Sequence, residues 1–125
     1  YYTADAEYEP GKLYVGGSYT RDRPVDEFVS AIRAIDPTTG RRAWEHRVQP
    51  KSMAGVLSTA GQLIFAGTVT GNFLALDAES GEDLWHLDLG GEIIAAPITY
   101  RSNGRQQVTI AAGHAIFTFA LDDAD

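Results

Sequence analysis

Apolar and polar residues along this chain fall into short runs of strand length, separated by turns rich in glycine. Leu13–Gly17, Phe28–Asp36 and Ala43–Val48 form a first group. Val56–Thr59, Leu63–Gly67, Phe73–Asp77 and Leu84–Leu87 form a second, and Ile93–Tyr100, Val108–Gly113 and Ala115–Leu121 a third. Most are bounded by turn pairs such as Ala60-Gly61, Thr70-Gly71, Ser80-Gly81, Asn103-Gly104 and Gly113-His114, residues that supply positive φ or bond their own backbone. No window of helical length sustains an apolar period near 3.6. The segment Ser18–Asp26, with Arg21-Asp22-Arg23-Pro24, is too polar for a strand and reads as an inserted loop. The pattern predicts an all-β chain.

One phrase occurs twice. Ala34-Ile35-Asp36-Pro37-Thr38-Thr39-Gly40-Arg41-Arg42-Ala43-Trp44 returns as Ala75-Leu76-Asp77-Ala78-Glu79-Ser80-Gly81-Glu82-Asp83-Leu84-Trp85, each residue 41 positions after its counterpart. A period of roughly 40–45 residues built from short strands is the length of one four-stranded propeller blade. The chain therefore reads as a partial propeller over 1–125: the end of one blade at 11–50, a complete blade at 51–90, and a closing blade lacking its outer strand at 91–121. Closed propellers need about 4–8 blades, so about three blades read as a piece of something larger, with missing upstream blades as partners. In each copy the aspartate is expected to accept local N–H bonds and the glycine to supply a positive φ. Each tryptophan, on an outer strand, is expected to pack on the neighbouring blade and donate its indole N–H to a backbone carbonyl. These are scaffold roles.

Charge and composition narrow the function classes. With 17 acidic and 10 basic residues the net charge is −7, and the basic residues are scattered along the sequence, which predicts no nucleic-acid partner. No apolar run approaches the roughly 20 residues of a membrane-spanning helix. The absence of cysteine excludes thiol catalysis and Cys-ligated metals within this stretch. His46 and His86 fall on outer strands and read as surface or packing residues; His114 lies in a turn. Glu79, Glu82, Asp83 and Glu92 read as solvated charges beside turns, and Ser58 and Thr59 have no evident partner base.

The doubled A-x-D-x-x-x-G-x-x-x-W resembles the tryptophan-docking motif of quinoprotein dehydrogenases, the PQQ-dependent alcohol dehydrogenase family. Ala54–Gly67, followed by Gly71–Asp77, is similar to the G-x-L-x-T-x-G-G-L-V-F-x-G segment near the C-terminus of these enzymes, with Gln62 where that pattern has its second glycine. Ile94–Tyr100 and Gly104–Val108 resemble their closing blade. The resemblance implies the C-terminal arc of an eight-bladed propeller in a periplasmic enzyme. Such an enzyme oxidises alcohols or polyols with PQQ and a Ca²⁺ or lanthanide ion, and passes electrons to a cytochrome c. It places the metal ligands and the catalytic base in upstream blades, so no catalytic residue is assigned here. Many members have Trp-Gly-Gly where this chain reads Met53-Ala54-Gly55, ahead of an innermost strand. That implies cofactor contact by the Ala54 and Gly55 amides and the Met53 side chain. Non-catalytic propellers with PQQ-type repeats, acting as scaffolds or in outer-membrane protein assembly, share the docking repeat and form the alternative.

Overall fold

The computed structural model describes residues 2–3, 7–12, 14, 18–19, 30–49 and 52–120. The strands are β1 (Tyr2–Thr3), β2 (Ser18–Tyr19), β3 (Ser30–Ile35), β4 (Arg42–Val48), β5 (Leu57–Ser58), β6 (Leu63–Gly67), β7 (Asn72–Asp77), β8 (Asp83–Asp88), β9 (Ile98–Ser102), β10 (Arg105–Ala112) and β11 (Ala115–Ala120). All pairs are antiparallel. β5-β6-β7-β8 makes a four-stranded meander, β9, β10 and β11 a three-stranded one, and β3-β4 and β1-β2 are two-stranded. The expected strand over Leu13–Gly17 lies largely outside the described residues. The β1–β2 ladder corrects the reading of Ser18 and Tyr19 as loop: a two-residue ladder is fixed by backbone pairing and leaves little trace in side-chain alternation.

The middle strands of the central sheet, β6 and β7, are packed on both faces because their side chains alternate between two cores, while the outer strand β8 is exposed along its length. Leu74 and Leu76 of β7 with Ala66 of β6 turn to one side, where they meet Ile32 of β3 and Val48 of β4, with Trp44 and Ile64 alongside. Phe73 turns to the other side, against Ile93, Val108, Ile110 and Ala112, with Leu57, Phe65, Phe117 and Phe119 around them. Phe73, Leu76, Ile93 and Ile110 are the largest fully buried side chains. Both β3–β4 and β7–β8 carry a register shift at the same point of the repeat, between Ala34 and Ile35 and between Ala75 and Leu76. The repeat is thus one of backbone geometry as well as sequence.

One strand starts later than expected, and one turn residue carries strain. Ile93–Pro97 is not strand; β9 starts at Ile98. Pro97 has no N–H to give a ladder, while Ile93 is fully buried and its N–H donates to the Thr68 carbonyl at 3.2 Å, so this stretch is a packed connector. Gln62 has φ 61°, a left-handed conformation at the position where the resembling pattern has glycine. Gln62→Gly is therefore expected to raise stability by about 0.5–1 kcal/mol, because glycine adopts this φ without the Cβ penalty; urea unfolding checks it, and a loss of stability would contradict the assignment.

Candidate functional site

The docking turns are built alike. Asp36 Oδ1 accepts the Thr38 N–H at 2.8 Å, and the Gly40 N–H returns to the Asp36 carbonyl at 2.8 Å. Asp77 Oδ1 accepts the N–H groups of Glu79 and Ser80 at 3.0 and 2.7 Å and the Ser80 hydroxyl at 2.9 Å, and Gly81 N–H returns to the Asp77 carbonyl at 2.9 Å. These bonds favour the ionised carboxylates, from Thr39 and Thr38 at Asp36 and from Ser80 and Glu79 at Asp77, and hold both below the usual aspartate value. Gly40 and Gly81 have φ of 69° and 75°, as the repeat predicts.

Trp44 does what its position predicts. Its indole lies on Gly81, and its Nε1–H donates to the Ala78 carbonyl at 3.0 Å. His46, two residues on along the same face, adds a second tie between Nδ1 and the Gly81 carbonyl at 3.2 Å, with the proton on Nδ1. Trp85 behaves differently: its ring stands edge-on to Phe73 and Phe119 at 6.1 and 5.6 Å between centroids. It stays 41 % exposed, and among the described residues its indole N–H has no carbonyl partner. Exposed His86 lies 3.2 Å from Asp83, and His114 is exposed in the turn after β10.

The opposite end of the sheets, away from the docking turns, is one knitted surface. Ser52 Oγ donates to the Gly67 carbonyl at 2.6 Å, Leu89 N–H to Gly71 at 2.9 Å, and Gly113 N–H to Glu92 at 2.9 Å. Thr68, buried, accepts the Asn72 N–H on its hydroxyl at 3.1 Å and shares a 2.9 Å contact with the Thr70 hydroxyl. Gly91 packs so closely on the next hairpin that a Cβ there would lie 2.8 Å from Gly113 N. Met53, Ala54 and Gly55 run along this end. Met53 is 60 % exposed, Ala54 packs against the Phe73 core, and Gly55 lies against Ala96. Among the described residues the amides of Ala54 and Gly55 donate no backbone hydrogen bond. Ile94-Ala95-Ala96, 41 positions after Met53-Ala54-Gly55, takes the corresponding place in the next sheet, with Ile94 53 % exposed. The offset carries this pairing, which reading each motif alone misses. Exposed apolar side chains beside undecorated amides suit a flat, partly apolar, anionic ligand such as PQQ. Among the described residues no group of three or more His, Asp or Glu is placed to hold a metal ion.

Three of the ten basic residues that look scattered in sequence meet in space. Pairing of β3 with β4 gathers Arg33, Arg42 and Arg47 around Glu45, with contacts of 2.7, 2.6 and 3.2 Å. The guanidiniums of Arg33 and Arg47, then of Arg42, lower the Glu45 carboxyl to about 2.

The family model described as outer membrane protein assembly factor BamB, a PQQ-repeat model, matches residues 29–123. The chain belongs to the PQQ-type β-propeller family. Quinoprotein ethanol dehydrogenase of Pseudomonas aeruginosa is 40 % identical over 127 residues, covering 100 % of this chain and 20 % of that protein. The quinohemoprotein alcohol dehydrogenase ADHIIG from Pseudomonas putida matches in structure with a TM-score of 0.63 and 38 % identity, over 69 % of this chain and 13 % of that one. A europium-containing methanol dehydrogenase matches with a TM-score of 0.62 and 37 % identity, over 64 % and 14 %. The chain thus spans about a fifth of the length of the curated relative. Its antiparallel sheets are propeller blades, and its relatives are quinoprotein alcohol dehydrogenases.

Proposed function

We propose that this chain is the C-terminal arc of an eight-bladed, PQQ-dependent dehydrogenase of the periplasm that oxidises alcohols or polyols. The observation that carries the reading is 40 % identity to a quinoprotein ethanol dehydrogenase across the whole chain, including the segment that bears Met53–Gly55. When bound, PQQ supplies a two-electron acceptor for alcohol oxidation. This chain's contribution would be to hold one side of it, with the Ala54 and Gly55 amides as donors for its anionic groups and the Met53 side chain as an apolar contact. The contact of Gly55 with Ala96 fixes the amides on a rigid sheet end, and Trp44 and His46 lock that sheet to its neighbour. A Ca²⁺ or lanthanide ion and the proton-accepting base belong to blades outside this chain, and a cytochrome c takes the electrons. The europium in the name of one structural relative supports the metal assignment.

The test is the full-length protein titrated with PQQ in the presence of Ca²⁺ or La³⁺, followed by dye-linked oxidation of a primary alcohol. Saturable binding with turnover is expected. A folded full-length protein that binds no PQQ with either metal would contradict this reading and leave the non-catalytic scaffold or assembly role.

A further inference from the structure

The β3–β4 sheet has one face against the central sheet and one turned away, and the face turned away is charged. Arg33 and Glu45 sit opposite each other in the ladder, and Arg47 follows two residues on along β4. Arg42 completes the group across the bulge. The three arginine side chains are 54, 55 and 73 % exposed, whereas Glu45 is only 16 % exposed beneath them. One carboxylate shared by three guanidiniums leaves a local charge of about +2 on a chain whose total is −7.

The 41-residue repeat says what covers this face. Counterparts of Arg33 and Ile35 are Leu74 and Leu76, and those are 7 and 0 % exposed because the preceding sheet, through Ile32, Val48 and Trp44, packs on them. The docking turn tells the same story. Gly81 is buried under Trp44, with a Cβ there only 2.5 Å from Cε3, whereas Gly40, in a turn of the same geometry, has nothing within 4 Å. Among the described residues no ring lies on Gly40, which sits beside the arginine cluster in a turn shaped like the one that receives Trp44.

A preceding blade on this face, with a docking aromatic ring on Gly40, is what the propeller architecture already implies; we infer that this covering blade is acidic and brings carboxylates to the guanidiniums of Arg33, Arg42 and Arg47. The relative's fivefold greater length provides for such a sheet. At the equivalent contact one step along, the match is apolar; here Arg33 stands where that contact has Leu74, so an apolar cover would strand a guanidinium away from water. Two or more side-chain carboxylates in the covering sheet neutralise the surplus, and this contact becomes an electrostatic joint among hydrophobic ones. The inference concerns architecture and holds whether or not the protein binds PQQ.

Two measurements on the full-length protein test it. Phenylglyoxal modification, read by peptide mass spectrometry, is expected to be at least ~10-fold slower at all three arginines in the folded protein than in urea. Reactivity in the folded protein equal to that in urea would overturn the covering sheet and leave a free basic face open to a separate acidic protein. The second compares Glu45→Gln with Glu45→Gln/Arg47→Gln by thermal unfolding. With Glu45 neutral, Arg47 has only like charges on its own sheet, so removing it raises Tm unless carboxylates lie opposite. The inference predicts a lower Tm for the double variant; an unchanged or higher one would refute the acidic partner.

Discussion

Gly81→Ala lowers stability by about 3 kcal/mol, while Gly104→Ala lowers it by about 1 kcal/mol. Both glycines have positive φ, 75° and 81°, so both substitutions carry the strain of a left-handed Cβ. They differ in what that Cβ meets. At Gly104 nothing lies within 4 Å, but at Gly81 the new carbon falls 2.5 and 2.6 Å from Cε3 and Cδ2 of Trp44. The indole must then lift off the turn, which pulls Nε1 from the Ala78 carbonyl and strains the His46–Gly81 contact. Urea unfolding of the two variants separates the effects. Equal losses would show that the turn receives no ring, contrary to the structure.

Trp44→Ala has the second large effect, about 3 kcal/mol, through loss of ring burial between two sheets together with an indole hydrogen bond. Trp44→Phe keeps most of the ring contact, loses the bond to Ala78, and is expected to cost about 1 kcal/mol. Combining Trp44→Ala with Gly81→Ala should cost much less than the two losses added, because once the ring is gone the alanine methyl has room. Full additivity in that double variant would contradict the contact. Trp85→Ala provides the contrast: that ring is 41 % exposed, so its removal costs less than that of Trp44 although the motif around both is the same.

The two tryptophans show where sequence reading reaches and where it stops. The repeat alone predicts both docking turns, both positive-φ glycines and the Trp44 hydrogen bond, because these depend on residues close in sequence and on one period. The Leu63–Gly67 strand is likewise legible to the residue, since apolar residues bounded by turns leave little choice. The partner surface of each tryptophan depends on what a different sheet presents. Trp44 meets a glycine turn and Trp85 meets Phe73 and Phe119. Ile93 misleads for a related reason: it belongs to an apolar run, yet its depth is set by Thr68 and by the core around Phe73. The arginine cluster is invisible in one dimension, because Arg33 and Glu45 meet only through β3–β4 pairing. At Met53–Gly55 the motif gives the segment, and folding adds its neighbour Ile94–Ala96 and the exposure of Met53.

A PQQ titration of the full-length protein, wild type against Met53→Glu with the metal held constant, decides whether this end of the sheets holds the cofactor. Met53 is exposed and outside both cores, so the substitution should leave the fold intact, which thermal unfolding verifies. A carboxylate placed against an anionic cofactor is expected to weaken binding at least ~10-fold, about 1.4 kcal/mol. If the folded Met53→Glu protein binds PQQ as tightly as the wild type, the cofactor does not lie at this end of the sheets, and the assignment of Met53, Ala54 and Gly55 is wrong.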